Sequence, residues 1–128
     1  MSHFSQIKTQ IRSLPALKSA LNDLELTWKP GPQPLQGYQG QTQTADVVIP
    51  QDNGYGIGFR WNGTEYELVA DLELWNQAWS VERFLDKVNQ RYAYHAVLQS
   101  AQAQGFAVTE EQQQNDGSLR LVVQRWRG

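Results

Sequence analysis

The chain contains no cysteine. That absence excludes a disulfide scaffold, thiolate zinc, a thiolate-ligated iron–sulfur cluster and a cysteine nucleophile. Long apolar runs are missing as well. None approaches the ~20 residues of a spanning helix, and the polar start Met1-Ser2-His3-Phe4 does not read as a signal peptide. Charge is scarce: Asp, Glu, Lys and Arg make up 19% of the chain, against a usual ~25%. The formal net charge of -2 gives no general pull toward nucleic acid or an anionic membrane. Only two histidines are present, and neither belongs to a His-x-x-x-His or Glu-x-x-His spacing, so a metal site lacks its usual ligands. No serine sits in a Gly-x-Ser-x-Gly elbow either.

Glutamine is abundant, with 17 residues among 128, and hydrophobic residues make up 40%. That length suits a single domain over residues 1–128 with one core. Ser5, Ile7, Thr9 and Ile11 alternate with Phe4, Gln6, Lys8 and Gln10, the period of a half-buried strand. Leu14, Leu17, Ala20, Leu21 and Leu24 then recur at helical spacing, with Ser13 or Leu14 as cap and Pro15 in the first turn. A short strand is expected around Leu26-Thr27-Trp28. From 29 to 43, prolines and glycines among glutamines predict a loop.

Strands follow at Asp46–Ile49, Tyr55–Trp61 and Thr64 to about Ala70, with Asn62-Gly63 as a type I′ hairpin signal between the last two. After a connector carrying Trp75 and Trp79, Ser80 caps a long helix with its apolar stripe on Val81, Phe84, Leu85, Val88, Tyr92 and Ala96. Gly105 marks its end. Strands from Phe106 to about Gln112 and from Leu119 to Trp126, joined by a turn at Asn115-Asp116-Gly117-Ser118, close the chain. The order β-α-β-β-β-β-α-β-β, with hairpins and short connections, predicts an α+β fold. Its sheet is mainly antiparallel, with two helices packed on one sheet face.

Several stretches together resemble a known family: Met1 to Ile11, Ile57 to Asp71, Gln90-Arg91-Tyr92-Ala93-Tyr94-His95, Gly105-Phe106 and Leu119 to Trp126. The resemblance is to the hypothetical chloroplast reading frame thirty-five family of cyanobacteria and plastids, and it covers nearly the whole chain outside the Pro/Gln loop. It implies a cytoplasmic location, stromal in plastid relatives, and an accessory role that is either house-keeping or linked to photosynthesis. It implies no reaction, cofactor or catalytic residue set.

Each candidate site has a simpler structural reading beside it. His95 sits near the edge of the helix stripe, where a locally hydrogen-bonded core histidine competes with an acid/base or ligand role; His3 sits at a strand start. Gly54, Gly56 and Gly58 lack the downstream helix of a phosphate loop, and read as a bulge or as a face that another backbone, a helix or a partner approaches closely. Glu65, Glu67, Asp71 and Glu73 would share a face if strand geometry continued, a solvated face unless buried. Trp75 and Trp79 either anchor their connector in the core or, with Trp28, present a partner-binding surface. Arg120, Arg125 and Arg127 flank Trp126.

Three functional readings follow. The leading one is a non-catalytic accessory protein that binds another protein through Trp28, Trp75 and Trp79, with no cofactor and no metal; a homodimer is left open. The second is a small-molecule enzyme or ligand binder with a pocket between sheet and long helix near Arg60, Tyr92 and His95. The third is RNA binding by an open sheet face bearing Phe4, Lys8, Arg12, Arg120 and Trp126.

Overall fold

A computed structural model describes residues 2–114 and 119–125. The elements run β1 (Phe4–Ile11), α1 (Leu14–Asp23), β2 (Lys29–Gln36), β3 (Thr42–Ile49), β4 (Ile57–Trp61), β5 (Tyr66–Asp71), α2 (Val81–Ala103), β6 (Phe106–Gln113) and β7 (Leu119–Arg125). The fold is α+β, and its element order is broadly the one expected, with the second strand at Lys29–Gln36 in place of the short strand around Leu26-Thr27-Trp28. Single 3₁₀ turns lie at Tyr38–Gly40 and Leu72–Leu74. The strands form two sheets rather than one: a five-stranded sheet in the order β1-β5-β4-β3-β2 and a two-stranded sheet of β6 and β7. Every pairing is antiparallel.

Local chemistry explains most element ends. Ser13 Oγ accepts from the Ala16 N–H (3.3 Å) at the start of α1, and Ser80 Oγ accepts from the Arg83 N–H (3.2 Å) at the start of α2. These bonds satisfy donors that the first helical turn leaves open. Past the end of α2, Gly105 takes a left-handed φ of 82°, a conformation glycine adopts without steric cost. The β4–β5 hairpin forms as expected, but not through a type I′ turn. Asn62 Oδ1 accepts from the N–H groups of Thr64 and Glu65 (both 2.9 Å), and the Asn62 N–H donates to the Glu65 carbonyl (2.9 Å). The asparagine side chain thus organises a longer loop, and only Gly63, at φ 102°, is left-handed.

Residues 29–36 are a strand, not the loop expected over 29–43. Proline is excluded from central strands because it cannot donate to a ladder, and it survives at an edge, where one side of the strand needs no donors. β2 is such an edge, with Pro30, Pro32 and Pro34 in it and its register to β3 broken between Pro30 and Gln33. Leu26 and Trp28 lie outside the strand and pack on the core. The turn at 115–118 lies outside the described residues.

Two apolar clusters occupy the two faces of the large sheet. Leu17 and Leu21 of α1 and Phe84 and Val88 of α2 meet Val47, Ile57, Phe59 and Leu68, so both helices pack on one face. The opposite face holds a smaller cluster of Leu35, Ala45, Val48 and Val69 with Phe4 against it. The β2–β3 hairpin folds over this side. A Cβ on Gly58 would lie 2.5 Å from the Val47 carbonyl oxygen and 2.8 Å from the Ala45 Cβ, and one on Gly37 would meet the Phe4 ring at 2.5 Å. The glycine face of β4 is therefore covered by the chain's own hairpin.

Candidate functional site

Tyr92, Arg91 and His95 project from neighbouring turns of α2 and hold α1 by both ends. The Tyr92 hydroxyl accepts from the N–H groups of Arg12 (3.1 Å) and Ser13 (3.2 Å), at the entrance of α1. At its exit, Asp23 Oδ2 receives Arg91 Nη2 at 2.8 Å and lies 2.6 Å from His95 Nε2. Partial burial pushes the Asp23 carboxyl up; the hydrogen bonds from His95 and Arg91, aided by their charge, outweigh it and hold Asp23 below its ordinary value. His95 is thus the locally bonded core-edge histidine, in a clamp between helices.

Arg60 does not join Tyr92 and His95. Alternation along β4 sends Ile57 and Phe59 into the helix-side core and turns Arg60 to the opposite face. There its Nη1–H donates to Gln43 Oε1 at 2.6 Å. The expected pocket of Arg60, Tyr92 and His95 therefore does not form. A groove of about 210 Å³ lies elsewhere, between β2 and the turn after β3, with Leu35, Val48, Gln51 and Gly56 in its lining. It falls short of the ~300–1,000 Å³ usual for small-molecule sites.

The three tryptophans expected to form a partner surface are half-buried and committed to the fold. Trp75 Nε1–H donates to the Trp79 carbonyl (2.8 Å), and its ring meets Phe84 edge-on at 5.2 Å. Trp79 carries the Lys87 ammonium 4.9 Å above its ring. Trp28 donates to Asn22 Oδ1 (2.8 Å) under Lys18. All three pack against the main core, so they anchor connectors.

The RNA-binding platform is divided as well. Phe4 is half-buried with Gly37 against one side of its ring, Lys8 and Arg12 are exposed on or beside the large sheet, and Arg120 is exposed on the two-stranded one. Trp126 and Arg127 lie outside the described residues. Of the four carboxylates, Asp71 ends β5 and is 4% exposed. Its Oδ1 accepts from the Glu73 N–H (3.1 Å), while Oδ2 has no partner among the described residues. The chain then turns into the 3₁₀ segment, so Glu73 leaves the strand face. Among the described residues, no three His, Asp or Glu side chains gather as metal ligands, and no helix is long and apolar enough to cross a membrane.

Trp61 is the aromatic residue the sequence reading passed over. It is 43% exposed, and its ring leans on Tyr66 at 5.0 Å with the planes tilted by 58°. The Trp61 N–H donates to Asp46 Oδ2 (2.7 Å). Burial, and secondarily the Asp46 charge, push the Tyr66 phenol up. Trp61 has the core-facing parity of Ile57 and Phe59 but is the last residue of its strand. Strand periodicity alone marks it as core; only its place next to the turn signals an end that the helices leave open.

A family model described as a protein of unknown function (DUF1257) matches residues 20–122. Three curated relatives share the name uncharacterised protein ycf35, the reading frame of the resemblance noted from the sequence. The one from Guillardia theta is 50% identical over 127 residues, 99% of each chain. That from Cyanophora paradoxa is 47% identical over 127 residues, again 99% of each, and that from Pyropia yezoensis 46% over 126 residues, 98% of each. No solved structure matches the chain.

Proposed function

The chain belongs to the DUF1257 family, and from that premise we propose that it is a non-catalytic accessory protein of oxygenic phototrophs that binds another protein. Its place is the cyanobacterial cytoplasm or the plastid stroma, and its role is in assembly or maintenance of the photosynthetic apparatus. The observation that carries the reading is the Trp61–Tyr66 pair, an indole left 43% exposed at the end of the β4–β5 hairpin. Large aromatic rings supply much of the binding energy at protein interfaces because they bury wide apolar area at small entropic cost. Trp61 is held from below by Tyr66 and through its backbone by Asp46, so little ordering remains to be done on contact.

Affinity capture from a phototroph lysate, run in parallel with wild-type and Trp61→Ala baits, tests this. A reproducible partner is expected with wild type. Its affinity should fall by about thirtyfold with Trp61→Ala, as for a ~2 kcal/mol hot spot, with the melting temperature little changed. Recovery of no reproducible partner, or equal recovery by both baits, rejects the reading.

A further inference from the structure

The two edges of the five-stranded sheet are built differently. β2, at one edge, has lost the N–H groups of residues 30, 32 and 34 to proline. β1, at the other, has no proline and pairs with β5 in unbroken register from Phe4↔Asp71 to Lys8↔Glu67 before an irregularity ahead of Ile11. An uncovered edge with free donors and acceptors is a template for another strand, and natural sheets block such edges unless they use them. Here one edge is blocked by proline, and among the described residues no strand pairs with the outer side of the other. Apolar surface accompanies the open edge on both faces: Ile7 and Phe4 are each only half-buried, against the large and small clusters respectively.

We infer that β1 pairs antiparallel with β1 of a second copy of this chain, joining the two sheets across a two-fold axis. The segment is its own complement. The regular run Phe4–Lys8 has Gln6 at its midpoint, and pairing centred there sets Phe4 against Lys8 of the other copy and Ser5 against its Ile7. The lysine stem then covers the exposed part of the phenylalanine ring and its ammonium can reach the ring face. The two lysines are kept apart, and the two Gln6 amides face each other on the exposed side. Centring on Ile7 instead would bring Phe4 against Gln10, which leaves strand geometry at φ 63°. Centring on Lys8 would oppose like charges, which destabilises a strand pair.

Gln6 is exposed in the single chain, so substitutions there test the contact without disturbing the core. Sedimentation at about 100 μM, suited to a strand interface of small area, is expected to show a dimer. Gln6→Glu and Gln6→Lys should each weaken it several-fold at low salt, and mixing the two variants should restore it. Gln6→Cys introduces a single thiol into a cysteine-free chain. Directly opposed residues of antiparallel strands lie within disulfide reach, so mild oxidation should give a covalent dimer. Circular dichroism confirms that each variant is folded. A monomer at that concentration overturns the inference, and so does a dimer indifferent to both charges that also fails to cross-link. The latter result would assign association to another surface, such as the β6–β7 sheet.

Discussion

Gln51 uses both ends of its amide. Nε2 donates to the carbonyls of Tyr55 and Leu74, while Oε1 accepts from the Asn76 N–H (2.8 Å) and Gln77 Nε2 (3.1 Å). One uncharged side chain thereby ties the turn after β3 to the connector that leads into α2. Gln51→Ala should cost about 1–3 kcal/mol, the consequence of leaving several partners without a bond, read as a lower urea midpoint by tryptophan fluorescence. A loss within ~0.5 kcal/mol, ordinary for a surface substitution, would show that water replaces the side chain. Nothing local announces this role. Gln51-Asp52-Asn53-Gly54 reads as a turn by composition, but the other half of the network is more than twenty residues away. The same distance hid the site residues. Arg60 could be assigned a face by parity, but its partner Gln43 lies on β3, inside the stretch expected to be loop.

At the scale of the element, the junction of α1 and α2 carries a pH signature. Asp23 titrates below its ordinary value in the folded chain. Its contribution to stability is therefore present above the unfolded carboxylate range of about pH 4, and is lost as pH falls through the lower folded value. The wild-type melting temperature should drop more steeply below pH 4 than that of Asp23→Asn, which cannot make the titration; parallel curves would show the clamp to be energetically idle. The helices themselves were legible. Ser13, Ser80 and Gly105 are local signals, and a cap acts on neighbours within one turn. β2 was not legible, because proline opposes a strand everywhere except at an edge, and an edge is a property of the assembled sheet.

At the scale of the whole molecule, the sheet and both helices share the core in which Phe84 and Phe59 are fully buried. Phe84→Ala should destabilise the chain by about 3–5 kcal/mol through lost transfer energy and a residual cavity, with the denaturant slope unchanged. A slope that falls would mean that the helix layer separates from the sheet before the rest unfolds. The α+β class and the element order were readable because period two and helical period alternate clearly along the chain. The separation into two sheets and the hairpin laid over the second face were not. Both depend on contacts between distant segments, and Leu35 in particular shows no periodic pattern among its prolines.

The prolines of β2 also bear on how far association can go. A sheet with two usable edges can add copies without limit, and repeated strand addition is how cross-β fibres grow. A strand with three missing donors offers an incoming chain no continuous ladder, so growth through β2 is arrested at the first step. An identical copy that adds along β1 presents its own proline-lined β2 outward and so ends the series. For this sheet the proline-rich stretch acts as a chain terminator, in the polymer chemist's sense.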